Sequence, residues 1–214
     1  MPIGSNILAG ASGQGDTGYD IDQSLRFNDD DNSKLSRTPA SVGNRKIFTI
    51  SFWTKRGNLG LTNSRIFDAQ SSGTDEFDFM FNSSDKLRLY YYTGSYALEL
   101  ITTQVFRDPS AWYHIVLAVD TTQATASNRI KLYVNGEQVT AFDTETYPSQ
   151  NTQLPVNNTN SHNIGCYEGS NSYDYDGLFA EVYLIDGTAL TPASFGETNS
   201  ATNQWVPIEY TGSY

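Results

Sequence analysis

An all-β chain folded as an antiparallel two-sheet sandwich is what this sequence predicts, and three observations carry that expectation. Alternating apolar and polar residues recur in short runs bounded by turn residues, the pattern of half-buried strands. The Asn135-Gly136 dipeptide sits between two such runs, where a two-residue type I′ turn needs positive φ at both positions. Aromatic residues make up 13% of the 214 residues, with 14 tyrosines, and no stretch carries the 3.6-residue period of a long helix.

Residues 1 to 20 contain five glycines and little periodicity, and read as a flexible N-terminal arm with Ile3, Ile7 and Leu8 as apolar anchors. A disordered tail and an arm ordered against a neighbouring subunit both fit that composition. Ser24 to Asp29 reads as a short strand before the acidic turn Asp29-Asp30-Asp31. Lys46 to Arg56 alternates Ile47, Thr49, Ser51 and Trp53 against Phe48, Ile50 and Phe52, a strong strand pattern. Arg65 to Ala69 is a further strand, and Glu76 to Phe81 pairs with Lys86 to Tyr92 across Asn82-Ser83-Ser84-Asp85. Tyr96 to Thr102 continues the meander to the turn at Asp108-Pro109.

The run from Trp112 to Asp120 is apolar on both faces, so it reads as a central strand covered on each side. The Asn135-Gly136 turn then sets Val134 opposite Glu137, Leu132 opposite Val139 and Ile130 opposite Ala141. Slipping that register by one residue would send the apolar set to water. Asp143 to Ser161 reads as a long polar loop of the kind that often binds ligands or partners. His162 to Gly169 is a strand, and Asp176 to Leu190 closes the domain with Leu178, Ala180, Val182 and Leu184 on one face. Thr191 to Phe195 suits one helical turn with Pro192 at its start, and Trp205 to Tyr214 reads as irregular. The organisation expected is an arm over 1–20, one sandwich over 21–195 and a tail over 196–214.

Composition excludes several functions. Asp and Glu total 24 against 13 Lys and Arg, a formal charge of −11. That balance opposes nucleic-acid backbones and anionic lipid, and no basic patch offsets it. Cys166 is the single cysteine, so an internal disulfide is ruled out and a small buried hydrophobe is expected. The opening residues lack a basic region followed by an apolar run, which argues against a secretory signal. No apolar stretch approaches the ~20 residues of a membrane helix.

The segments FTISFWTKR, WYHIVLAVD and IKLYVNGEQV, followed by a Gly-containing turn and DGLFAEVYLIDGTAL, resemble in that order the laminin-G-like jelly roll of the concanavalin A-like lectin/glucanase superfamily, over residues 22 to 192. The flanks MPIGSNILAGASGQ, RTPASVGNRKIFTISFW and QWVPIEYTG resemble tail-fibre-like virion proteins of tailed bacteriophages. Together the resemblances imply a jelly-roll virion protein that is made in the host cytoplasm. They imply contacts to other virion proteins through the arm, a homo-oligomer, and binding of host-surface glycans.

Glucanases of the superfamily place Glu-x-Asp-x-x-Glu on one strand. Here Glu76 and Asp78 fill the first two positions but Phe81 stands at the third, so the reading is non-enzymatic, with no catalytic residue assigned. A carboxylate such as Glu99 across a cleft from Glu76 would reopen hydrolysis. His114 and His162 have no ligand-spaced neighbours and are expected to be hydrogen-bonded structural residues. Calcium is the cofactor the resemblance admits, with Asp29, Asp31, Asp174 and Asp176 as candidate oxygen ligands, and solvated acidic turns as the competing account. Tyr90, Tyr92, Tyr96, Tyr167, Tyr173 and Tyr175 are the candidate glycan or partner surface, because tyrosine offers an apolar face and a polar tip at small entropic cost.

Overall fold

A computed structural model describes residues 19–168 and 173–214; most of the arm expected over 1–20 lies outside them. In chain order the strands are β1 (Leu25–Phe27), β2 (Leu35–Arg37), β3 (Ile47–Arg56), β4 (Ser64–Ser72), β5 (Asp75–Phe81), β6 (Lys86–Tyr92), β7 (Tyr96–Val105), β8 (Tyr113–Asp120), β9 (Ile130–Val134), β10 (Glu137–Gln138), β11 (Phe142–Thr146), β12 (Ser161–Ile164), β13 (Gly177–Asp186), β14 (Gly196–Thr198) and β15 (Trp205–Pro207). A six-stranded sheet runs β1-β13-β3-β8-β9-β10, a seven-stranded sheet runs β11-β7-β6-β5-β4-β12-β2, and β14 pairs with β15 alone. All pairings are antiparallel, giving the jelly-roll sandwich.

Alternation explains the core. Phe48, Ile50 and Phe52 of β3 meet Phe77, Phe79 and Phe81 of β5 across the sheets, with Ile115, Leu117 and Val119 of β8 beside them. The phenyl rings meet edge-on: Phe48 and Phe77 are 6.3 Å apart and Phe52 and Phe79 5.9 Å, the geometry their quadrupoles favour. β8 lies between β3 and β9, as its two apolar faces require, and Val116 packs outward in a smaller cluster with Ile185 and Phe195. The Asn135-Gly136 turn has φ of 47° and 85°, and Val134 faces Glu137.

Four local expectations are corrected. The hairpin ladder ends at Gln138. Val139 still donates to the Leu132 carbonyl, but the Ala141 carbonyl accepts from Thr103 of the other sheet, so Ile130 does not face Ala141. The segment expected as loop from Asp143 begins as the edge strand β11, and farther on it is anchored rather than free. Leu154 and Val156 are fully buried, and Leu154 exchanges hydrogen bonds with Arg45. In β13 a bulge between Ala180 and Tyr183, with Glu181 at φ 48°, reverses the phase: Phe179 faces the core before it and Leu184 packs on the core after it, while Ala180 faces outward. The tail is not wholly irregular, since Trp205–Pro207 pairs with Gly196–Thr198. The turn after β13 is a 3₁₀ segment with Pro192 at its start. Cys166 is buried and unpaired.

Candidate functional site

The outer face of the seven-stranded sheet collects most of the ionisable groups singled out from sequence. On β5, Phe77, Phe79 and Phe81 point into the core, which leaves Glu76, Asp78 and Met80 outside. Register then builds rows across the sheet. Asp68, Asp78, Tyr90 and Glu99 stand side by side on β4 to β7, and Gln70, Glu76, Tyr92 and Tyr96 form the next row. The strand pairing of β5 with β6 is regular from Glu76 to Phe81, so position 81 has the parity of the core and cannot join Glu76 and Asp78.

Two arginines bind the rows together. The Arg65 guanidinium lies 2.6 Å from Asp78 Oδ1 and 3.6 Å from Glu76 Oε1, and donates at 3.0 Å to the Tyr90 hydroxyl. Tyr90 in turn donates at 2.5 Å to Glu76 Oε1. Arg88 donates through Nε and Nη2 to one oxygen of Glu99, at 3.0 and 2.5 Å. Tyr167 caps Arg65 with its ring at 4.6 Å, Tyr173 lies 5.7 Å from the same cation, and Arg88 lies over Tyr90 and Tyr96 at 4.7 and 5.1 Å. Asp68 accepts from Asn163 at 3.0 Å.

Burial divides these carboxyls. Loss of solvent, with a hydrogen bond shared with Glu76 and the nearby Asp68 charge, pushes Asp78 well above the usual carboxylate range against the pull of Arg65. Burial acts on Glu76 in the same direction. It is outweighed by hydrogen bonds from Asp78 and Tyr90 and by the charges of Arg65 and Arg88, which hold Glu76 low. Asp68 is pushed up to about 6, mainly by burial, with Asn163 and Arg65 opposing. The same surroundings therefore drive the two neighbouring carboxyls in opposite directions, Asp78 up and Glu76 down.

The predicted site residues have different fates. Tyr175 is corrected outright: it is fully buried in the core, stacked on Phe179 at 4.3 Å and hydrogen-bonded to Thr54, so it presents nothing to a ligand. It lies outside any regular strand, where alternation says nothing about direction. Tyr90 is also corrected, because it is buried and its hydroxyl is consumed by Arg65 and Glu76. Tyr92 and Tyr96 meet at 5.3 Å, and Tyr167 and Tyr173 at 6.0 Å, forming two aromatic pairs on the one face. Tyr96 is 46% exposed. Arg65, Arg88 and Asp68 were not anticipated as site residues; cations in otherwise apolar strands were the available signal.

Among the four aspartates proposed for a cation, Asp29 and Asp176 come together, with Asn58 donating to Asp29 at 3.2 Å. Asp31 instead accepts from Asn28, and both oxygens of buried Asp174 lack a hydrogen-bond partner. Among the described residues no three acidic, cysteine or histidine side chains converge as a metal ligand set.

Two antiparallel sheets stacked over an aromatic core define a jelly-roll sandwich. The chain belongs to the Laminin_G_3 family of the concanavalin A-like lectin/glucanases superfamily, whose model matches residues 27–194. No curated protein sequence matches it significantly. Among solved structures it is similar to domain 4 of an extracellular arabinanase from Geobacillus stearothermophilus determined with arabinotriose. There the TM-score is 0.53 at 17% identity, over 72% of this chain and 66% of that one, just under two thirds of its length. It is also similar to the heptameric SAP-like pentraxin of Limulus polyphemus, with a TM-score of 0.52 at 17% identity over 73% and 70%. Likeness at this identity establishes the shared sandwich.

Proposed function

We propose that this chain is a non-enzymatic, glycan-binding surface protein of a bacteriophage particle. In this reading it is a homo-oligomer held to other virion proteins through its Gly-rich N-terminal region. The observation that carries the binding role is the exposed Tyr96 ring, paired with Tyr92 and backed by the Arg88–Glu99 ion pair on the outer face of the seven-stranded sheet. A tyrosine face takes the apolar side of a sugar ring, while the charged pair next to it takes hydroxyls. Burial on this face supports the non-enzymatic reading: Asp68 and Asp78 are fully enclosed and Glu76 nearly so. The virion setting rests on the flanking segments that resemble phage proteins.

The test is a glycan array probed with the full chain, with and without calcium, and repeated with Tyr96→Ala. Saturable binding lost in the variant is expected, and silence across the array would overturn the lectin role. Peptide mass analysis of purified particles from the phage's own lysate checks the setting, and absence of the chain there would overturn it.

A glycoside hydrolase is the second reading, favoured by one observation: Asp78 and Glu76 are neighbouring carboxyls whose environments drive their pKa values in opposite directions, Asp78 up and Glu76 down. Release of reducing sugar from β-glucans that disappears on Glu76→Gln would establish it in place of the lectin.

A further inference from the structure

On the opposite side of the molecule, the outer face of the six-stranded sheet carries a cleft of about 1150 Å³. Its floor includes Trp53 and Ala180, from β3 and β13, and its walls come from residues 20–24, the Asn135–Glu137 turn and the β14–β15 hairpin. The cleft is somewhat larger than the usual small-molecule site of roughly 300–1,000 Å³. Trp53, Trp112 and Trp205 all line it, and they are every tryptophan in the chain.

These rings are fixed in place. Trp205 Nε1 donates at 2.9 Å to His114 Nδ1, and the two rings lie within 18° of one plane. An indole N–H can only donate, so Nδ1 is the acceptor, and Nε2 carries the proton it gives to Ser51 Oγ at 3.0 Å. Trp53 stacks on the same imidazole at 4.8 Å. Gly136 and Gly196 press on the Trp205 ring so closely that a Cβ at either would come within 2.6 or 2.7 Å of it. The result is a fixed, pre-organised aromatic cluster in which Trp53 is buried and Trp112, 37% exposed, offers an open indole to the cleft.

The polar lining decides the ligand's charge. Asp20, Asp22 and Glu137 supply carboxylates and Asn135, Asn203 and Gln204 supply amides, and among the described residues no lysine or arginine lines the cleft. Carboxylates accept from hydroxyl groups and amides both accept and donate, whereas an anionic sugar would meet like charge with nothing to pair it. We propose that this cleft is a second binding site, selective for uncharged oligosaccharides whose pyranose faces stack on the tryptophans.

Intrinsic fluorescence tests it, because every indole in the chain lies in the cleft. The full chain is titrated with neutral tetra- to hexasaccharides of glucose, xylose, mannose and galactose. Sialyllactose, oligogalacturonate and choline serve as charged controls. A saturable spectral shift with a neutral sugar is expected, with affinity reduced at least tenfold in Trp112→Ala and in Glu137→Leu but kept in Tyr96→Ala. No shift with any neutral sugar, a shift driven by an anionic sugar or by choline, or full affinity in Trp112→Ala would each overturn the proposal. Retention in Tyr96→Ala separates this site from the tyrosine face: array signals left unchanged by Tyr96→Ala, with the fluorescence response intact, overturn only the tyrosine face.

Discussion

The two outer faces of this sandwich solve the same problem with opposite chemistry. On the seven-stranded side the groups that break the apolar pattern are ionic, and they are spent on each other: Arg65 on Asp78 and Glu76, Arg88 on Glu99. On the six-stranded side the organising group is a neutral imidazole bonded to an indole and a serine. A charged row must be closed off and balanced, because a buried charge without its partner is expensive. A neutral aromatic platform has no such debt and is free to stay open. The ionic row fixes the sheet and positions its tyrosines, while the tryptophan cleft stays open on the other face.

The sharpest way to break this contrast is to remove the cation that balances the closed face. Arg65→Met should destabilise the fold by about 3–5 kcal/mol, since it strands buried carboxyls; urea unfolding measures it. A loss below about 1 kcal/mol would mean that water already reaches the row.

Acid titration separates the faces next. Asp68 has its folded pKa raised from 3.8 to about 6, so the folded state binds this proton more tightly than the unfolded chain. Its contribution is full below pH 3.8 and is lost as pH rises through about 6, a difference of roughly 3 kcal/mol. His114 acts in the reverse sense: burial lowers it from 6.5 to about 3, so stability present above 6.5 is lost as pH falls toward 3. Asp68→Asn removes this gain on acidification, so less of the His114 loss is offset. Its stability should therefore fall more steeply than the wild type's between about pH 6 and pH 4, as followed by thermal unfolding across that range.

A smaller effect is expected where the open face is held together. Gly196→Ala places a methyl against the Trp205 ring and should cost about 1–3 kcal/mol through overpacking. It should also shift the tryptophan emission as the indole leaves His114. An unchanged spectrum would mean the platform is not clamped as described.

How much of this was legible in the sequence follows from what alternation can and cannot encode. The inward phenylalanines of β3 and β5, the two-faced β8 and the Asn135-Gly136 turn were all readable, because each is a local pattern. The alternation of β13 before Glu181 does not follow from the apolar face of Leu178, Ala180, Val182 and Leu184, because a single bulge there shifts parity and nothing nearby announces it. β11 escaped notice because an edge strand left largely exposed carries no apolar face. Glu76 and Asp78 could be seen to share a side, but the row that joins them to Asp68, Tyr90 and Glu99 depends on the register of four strands. The tryptophan cleft was the least legible, since Trp53, Trp112 and Trp205 meet only once the tail folds back over the sheet.

The smallest change in stability makes the most discriminating prediction. Tyr96→Ala and Trp112→Ala remove half-exposed rings from opposite faces, and each should alter stability by no more than about 0.5 kcal/mol because neither side chain fills the core. Their double variant should then be additive in stability, the two sites lying on different sheets with no shared partner. Binding is where they must diverge, with Tyr96→Ala depleting array signals and Trp112→Ala depleting the fluorescence response to neutral sugars. If either single variant removed both signals, the sheets would be coupled through the phenylalanine core, and the two faces would be one site read from two sides.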